Sequence, residues 1–146
     1  MNGHMKPADI EKRSFAIITE ELGGRTFPEG VAEVVKRVIH TSADFDYADN
    51  LCFSPDAVEQ AKAALEAGAT IVTDTNMALA GISKPTLAKL GGRAVCLMAD
   101  EDVAREAKER GVTRATVSME HAAKLDGPLI FAIGNAPTAL IRLHEL

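Results

Sequence analysis

The sequence has few of the residues on which several common binding sites depend. Tryptophan is absent and only one tyrosine occurs among 146 residues, so the chain lacks a set of aromatic side chains on which nucleic-acid bases would stack. The two cysteines, Cys52 and Cys96, are too few for a disulfide framework and too far apart in sequence for a typical zinc motif. Both lie in apolar stretches, and we expect them to be buried, reduced thiols of a cytoplasmic protein.

Long apolar runs and an excess of positive charge are also lacking. No stretch approaches the roughly 20 apolar residues of a membrane span, and the first residues lack the apolar segment of a secretory signal. The formal net charge of −5 leaves no positive footprint for nucleic acid or an anionic membrane. We therefore expect neither a nucleic-acid partner nor a membrane partner. Residues 1–5 contain Gly3-His4-Met5, which resembles a cloning remnant, and we assign them no structural role.

Nucleotide and calcium motifs are missing too. No segment matches the glycine-rich dinucleotide fingerprint or the P-loop, which disfavours a nicotinamide-dependent enzyme. Asp44, Asp46 and Asp49 resemble the start of a calcium loop. However, no glycine follows at the turn position, and Pro55 stands where the closing glutamate belongs. We predict a solvated loop there, with no metal site and no cofactor.

Helical periodicity dominates the first part of the chain. Apolar residues in helical register predict a helix over residues 7–22, which Gly23 ends. A second helix is predicted from Pro28 onward. One face of this helix is expected to be an apolar stripe of Val31, Val34, Val35 and Val38. An acidic loop then leads to a short strand predicted at residues 51–53.

Strands alternate with helices in the remainder of the chain. The strands are predicted at residues 70–73, 94–98 and 129–133, as continuous runs typical of buried parallel strands. Right-handed crossovers put the first of them in the middle. We predict one α/β domain over residues 1–146, a three-layer parallel sheet with helices on both faces. We expect the sheet to be incomplete at the C-terminus, because no strand follows the last helix.

Ligands of such sheets bind beyond the carboxyl ends of the strands. Two of those ends carry Asp74 and the turn GNAPT at residues 134–138. One interpretation of the turn is a tight connection in which Pro137 starts the next helix. The other is that amides at Gly134 and Asn135, at the start of the helix, bind a carboxylate of a ligand.

His40 is the most informative single residue. It follows Val31 by nine positions, which at about 100° per residue places it opposite the valine stripe. It is therefore either a surface imidazolium favoured by the end of the helix, or an acid–base group presented to a cleft. Arg13, Ser14 and Arg114, each taken singly, are more often surface residues than residues that bind a ligand.

Four segments, in the same order and spacing, resemble the motifs of the precorrin-8X methylmutase family. This family is also called precorrin isomerase or cobalt-precorrin-8 methylmutase. The segments are IEKRSFAII at 10–18, VIHTSADFD at 38–46, FSPD at 53–56 with AGA at 67–69 and Asp74, and AIGNAPTAL at 132–140. Each is weak alone, but together they cover the chain from Ile10 to its end.

The resemblance implies a flavodoxin-like fold, a homodimer and a corrinoid substrate. It implies an isomerase of cobalamin (vitamin B12) biosynthesis that moves a methyl group between ring carbons, without a cofactor. His40 matches the catalytic histidine, the proton donor and acceptor. The substrate-binding residues expected from it are Arg13, Ser14, Asp74, Arg114, Gly134 and Asn135. The residues that follow His40 are more similar to those of the family branch whose substrate already contains cobalt.

The chain departs from the family pattern at its C-terminus. We expect it to lack the segment that forms the last third of the family's sequences. An alternative is therefore a corrinoid-binding module without turnover. A third interpretation, from another class, is a flavodoxin-like receiver domain. That class requires an acidic cluster at the ends of the first and third strands together with a lysine, and Asp74 alone does not supply it.

Overall fold

The computed structural model describes residues 6–146, so the predicted remnant at residues 1–5 lies outside the described residues. The chain divides into two compact units, one ending at Glu59 and one over Gln60–Leu146. Each unit is described by itself below. The interpretation of residues 1–146 as one domain stays a prediction.

The first unit is helical. It contains α1 (Pro7–Leu22), α2 (Val31–Ser42), α3 (Tyr47–Asn50) and the first residues of α4 (Ala57–Glu66). The bounds predicted for α1 are confirmed. The predicted strand at residues 51–53 is wrong, because this segment is irregular and pairs with no strand.

The second helix begins three residues later than predicted, at Val31 rather than Pro28. Gly30 causes the delay, because it takes a left-handed conformation with φ of 75°. A side chain there would also place its Cβ 2.8 Å from a methyl carbon of Val58. Glycine is therefore required at this position for both backbone and packing reasons.

The core of the first unit lies between α1 and α2. Ile18 of α1 is buried together with Val31, Val35 and Ile39 of α2. Val34, predicted for the core stripe, is instead 37% exposed. The buried face of α2 is thus rotated toward Ile39, which precedes His40 in sequence.

The second unit is built on a parallel sheet with helices around it. Its strands are β1 (Thr70–Thr73), β2 (Arg93–Val95) and β3 (Leu129–Ala132), in the order β2-β1-β3. Thr70 aligns with Arg93 of β2 and with Leu129 of β3. The α/β class, the parallel direction and the central position of β1 are confirmed. The second strand is shorter than the predicted 94–98, since it ends at Val95.

Besides most of α4, five further helices belong to this unit. They are α5 (Asn76–Gly81), α6 (Lys84–Lys89), α7 (Glu101–Arg110), α8 (Arg114–Ala122) and α9 (Pro137–Glu145). Val72 of β1 is fully buried against Ala115, Met119 and Ala122 of α8 and Ala139 of α9. Small alanine side chains let both helices approach the central strand closely. No helix among residues 6–146 is long and apolar enough to span a membrane.

Ion pairs connect the outer helices of this unit. Glu120 of α8 accepts two bonds from Arg110 of α7 and one of 2.8 Å from Arg142 of α9. The Glu120 side chain is only 12% exposed. Hydrogen bonds from Arg110 outweigh its partial burial and lower the pKa of Glu120 to about 2. Glu120 therefore holds three helices together through one carboxylate.

We expect Glu120→Gln to destabilise the protein by about 1 kcal/mol at pH 7, because its arginine partners are themselves partly exposed to solvent. Since the pKa is lowered in the folded state, the contribution is present above the ordinary value of 4.5 and is lost as the pH falls toward about 2. Urea unfolding at pH 7 and pH 3 measures this. Glu109→Gln, at an exposed site on α7, is the matched control. A difference from wild type that grows as the pH falls would contradict the assignment.

Candidate active site

A groove of about 450 Å³ runs between α1 and α2 of the first unit. Its walls come from α1, from the end of α2 and from the residues after it. The lining residues are Ile10, Arg13, Ser14, Ile17, Ile18, Glu21, Ile39, His40, Ala43 and Phe45. Most of them are apolar, so the groove offers an apolar surface with a few polar groups at defined points.

His40 is the one imidazole among these lining residues. Its side chain is half-buried, and Nδ1 lies 2.8 Å from Oγ of Ser14 on α1. The sequence left two positions possible for His40, a cleft or the free surface. The structure places it in a cleft. Ser14 and His40, both predicted as site residues, are thus brought together.

Serine is an appropriate partner for a histidine that changes its protonation state. In the neutral tautomer with its proton on Nε2, the ring accepts a hydrogen bond at Nδ1 from the hydroxyl of Ser14. When the ring is protonated, Nδ1–H donates to the same hydroxyl oxygen. The bond therefore survives in both states of His40, as an acid–base group requires.

Arg13 lines the same groove, with an exposed side chain. Arg13 precedes Ser14 in α1, so the same turn of the helix carries both side chains. Glu21 is the acidic residue among the lining residues, two turns further along α1.

His40 has a second contact, which the sequence did not predict. The ring of Phe15 lies 5.4 Å from the His40 ring, at an interplanar angle of 33°. The guanidinium of Arg37 is 4.7 Å from the centroid of Phe15, and it donates to Glu11 at 2.9 Å. The hydrogen bond from Arg37 lowers the pKa of Glu11. The i,i+3 spacing of Arg37 and His40 was the available signal in the sequence.

The second unit contains another group of predicted site residues. Asp74, at the end of β1, is fully buried. Its carboxylate accepts bonds from the amides of Gly134, Asn135 and Ala136 at 3.1, 2.8 and 2.7 Å. The interpretation that these amides point at a ligand carboxylate is corrected here, because the carboxylate they bind is that of Asp74.

The environment of Asp74 acts on its pKa in two directions. Burial of the carboxylate raises the pKa, but the bonds from the three amides outweigh burial, and the pKa is lowered from its ordinary value. The group is therefore ionised at neutral pH, in the position that an anionic ligand takes at the start of a helix.

Arg114 and Asn135 are exposed in the second unit. Arg114 is the first residue of α8. Thr113 bonds to Thr138 of α9 at 3.0 Å, so the starts of α8 and α9 are neighbours. Arg114 and Asn135 therefore lie at the same end of the sheet. Their contact with a substrate stays a prediction.

The predicted acidic loop is partly helical, because Asp49 lies in α3. Asp44 accepts from the amide of Asp46 at 2.9 Å, and Asp49 pairs with Arg25 at 2.7 Å. No group of three metal-binding side chains occurs in the part of the chain that the structure describes.

The prediction for the cysteines was wrong in one respect. Cys52 is exposed and Cys96 is half-buried. Cys52 lies in the irregular segment 51–53, where a strand was predicted, so no sheet covers its side chain.

The parallel sheet of the second unit defines the class, an α/β protein, and the first unit adds an apolar groove lined by one imidazole. The family model described as precorrin-8X methylmutase matches residues 9–146. The chain belongs to the precorrin-8X methylmutase family.

Individual relatives agree with the family model. The cobalt-precorrin-8 methylmutase of Priestia megaterium is 43% identical over 142 residues, covering 97% of this chain and 63% of the relative. That of Salmonella typhimurium is 44% identical, covering 96% and 70%. The precorrin-8X methylmutase of Pseudomonas aeruginosa is 38% identical, covering 94% and 65%. The chain thus spans about two thirds of the length of these relatives.

A solved structure extends the agreement to the fold. The precorrin-8X methylmutase of Thermus thermophilus superposes with a TM-score of 0.84 at 38% identity, over 94% of this chain and 67% of that one. A second structure, of a protein related to precorrin-8X methylmutase, has a TM-score of 0.79 at 28% identity, over 90% of this chain and 68% of that one.

We expect Asp74→Asn to destabilise the protein by roughly 1.5–3 kcal/mol at pH 7, the range for hydrogen bonds to a charged group. The neutral amide loses the charge, and its NH₂ cannot accept a bond from the turn. Because the pKa of Asp74 is lowered, its contribution is present above the ordinary value of 3.8 and is lost as the pH falls below it. Urea unfolding is the measurement, with Asp126→Asn at an exposed position as control. Equal stability of both variants would refute the role.

Proposed function

We propose that this chain acts as a methylmutase on a corrinoid macrocycle of cobalamin biosynthesis, with His40 as the group that donates and accepts the proton. The observation that carries the proposal is the bond between His40 and Ser14 at the groove, in a chain of this family. Both residues fall in segments that resemble the family's motifs.

The chemistry of the groove suits a macrocycle with carboxylate side chains. Isoleucines of α1 and α2 supply an apolar surface for the ring. Arg13 supplies a positive charge with several donors, the preferred partner of a carboxylate. Arg114 and Asn135 are candidates for further contacts in the second unit, since both are exposed.

The proposed reaction is a rearrangement within one molecule. Protonated His40 gives its proton to the macrocycle, which makes the ring system electron-poor and favours migration of the methyl group to the neighbouring carbon. Loss of the proton to His40 then restores the conjugated ring. Substrate and product have the same atoms, so the reaction needs no external oxidant, reductant or cofactor. Ser14 keeps the imidazole in place through both transfers.

We propose a cobalt-containing substrate rather than a metal-free one. Two relatives named cobalt-precorrin-8 methylmutase are 43% and 44% identical to this chain. The relative from Pseudomonas aeruginosa named precorrin-8X methylmutase is 38% identical. The cobalt belongs to the substrate in this proposal and is not held by protein ligands.

The test is to follow methyl migration by NMR on a sample that contains the chain and a ¹³C-methyl-labelled corrinoid. We expect His40→Gln to lower the rate by at least about a hundredfold, the usual contribution of an acid–base group. Corrinoid affinity should remain close to wild type, because the apolar surface and Arg13 are unchanged. Glu109→Gln, at an exposed position on α7, should leave both quantities unchanged.

Two other outcomes would decide against the proposal. Full activity of His40→Gln would exclude His40 as the chemical group. Corrinoid binding by the wild-type chain without any methyl migration would favour the alternative, a corrinoid-binding module without turnover.

We also propose a homodimer in the cytoplasm. Leu140 and Ile141 of α9 are 61% and 59% exposed and lie on one apolar surface with Leu143. Surfaces of this kind are usually buried between subunits. The free thiols of Cys52 and Cys96 agree with a reducing compartment.

For the assembly, we expect light scattering at micromolar concentration to give twice the mass of the chain. Leu140→Lys should shift the protein to monomer, because it places a charge on the apolar surface. Lys124→Ala, at an exposed position after α8, is the control. A wild-type monomer at this concentration would contradict the dimer.

A further inference from the structure

Phe15 lies between two side chains of α2 without lining the groove of His40. Its ring is 5.4 Å from the imidazole of His40, and the guanidinium of Arg37 is 4.7 Å from its centroid. The residues around the groove do not include Phe15. It faces instead a separate surface concavity of about 480 Å³, which Glu11 and Arg37 also line. Phe15 contacts His40, which does line the groove.

Two residues of α1 and two of α2 take part in these contacts, and on each helix the two residues are one turn apart. Arg37 and His40 lie three residues apart on α2, so their side chains project from the same face. Glu11 and Phe15 lie four residues apart on α1 and have the same relation. Glu11 accepts from Arg37 at 2.9 Å, which keeps the guanidinium over the Phe15 ring. The four side chains form a chain of contacts that ends at the imidazole.

The imidazole needs more than the bond to Ser14 to be held in one orientation. The Ser14 hydroxyl holds the imidazole through a single atom, Nδ1, at the edge of the ring. The second torsion of a histidine side chain has no narrow preferred value, so the backbone does not set the ring plane either. A contact against the ring itself is required, and Phe15 provides it.

We propose that Phe15 is a positioning residue for His40, and that the Arg37–Glu11 ion pair holds Phe15 in place. The inference deepens the proposed function, because it assumes that orientation of His40 serves proton transfer. Proton transfer depends steeply on the direction and distance of the donor. Ser14 and Phe15 are consecutive residues of α1, so a single turn of helix fixes the imidazole at two points.

The test measures the imidazole directly, in the absence of substrate. The ring nitrogens of His40 in ¹⁵N-labelled protein are assigned by their loss in His40→Gln and recorded at a pH where the ring is neutral. Phe15→Leu removes the aromatic ring but keeps an apolar side chain. Phe15→Tyr keeps the ring. Phe27→Leu makes the same change at another half-buried phenylalanine of the first unit, one that packs on the core and away from His40.

We expect the wild type, Phe15→Tyr and Phe27→Leu to have well-separated nitrogen shifts, typical of a single tautomer held by Ser14. In Phe15→Leu the two shifts should converge by more than half of their separation, because the ring then exchanges between orientations. Backbone amide spectra show that each variant is folded. Wild-type shifts in folded Phe15→Leu would overturn the proposal. Convergence in folded Phe15→Tyr would do the same, and this second variant decides the question if Phe15→Leu unfolds.

The outer pair is tested by Arg37→Met, which keeps the length of the side chain and removes its charge. Arg37 is 55% exposed, so the substitution leaves the core of the first unit intact. We expect partial convergence of the His40 nitrogen shifts, smaller than in Phe15→Leu. Unchanged shifts would remove Arg37 and Glu11 from the proposal.

A kinetic measurement separates this inference from the proposed function. In the methyl-migration assay, Phe15→Leu should lower kcat by about tenfold or more with little change in KM, since substrate contacts are kept and orientation is lost. A kcat equal to that of Phe27→Leu would contradict a positioning role. Absence of turnover in the wild type would instead refute the proposed function, and the nitrogen shifts would still decide whether Phe15 orients His40.

Discussion

Burial of Ile39 against Ile18 is the contact on which the arrangement of the first unit depends. Ile39 is 1% exposed, and it fixes which face of α2 turns toward α1. The neighbouring residue, His40, is thereby carried to the edge of that interface, where Ser14 meets it. An apolar contact with no chemical role of its own thus determines where the imidazole lies. The polar contacts then adjust its orientation within that position.

The second unit uses a charge where the first uses apolar packing. Asp74 occupies the start of α9 with its own carboxylate, bound to three successive amides. A buried carboxylate therefore holds the turn before α9, and its negative charge offsets the positive end of the α9 dipole. The amides at this end of the sheet are thus already bonded, and the side chains of Asn135 and Arg114 are exposed there.

The sequence was most informative where a local pattern determines the structure. The helix Pro7–Leu22 has a regular apolar period and a glycine after it, and the central place of β1 follows from the handedness of crossovers. Features that depend on contacts between distant segments were missed. The choice of Ile39 over Val34 for the core is one, because both fit a helical stripe. The bonds of Asp74 and the contact of Phe15 with His40 are others, since each joins residues whose relation only the folded backbone creates.

The most direct test of this account is the position of the migrating methyl group relative to His40. With a ¹³C-methyl-labelled cobalt-precorrin bound to the chain, nuclear Overhauser effects are measured between that methyl group and the carbon-bound protons of the His40 ring. We expect a strong nuclear Overhauser effect between the methyl group and His40, and weaker ones with Ile17 and Phe45 of the same groove. Effects from the methyl group only to residues outside this groove would contradict the assignment of the groove as the site of reaction.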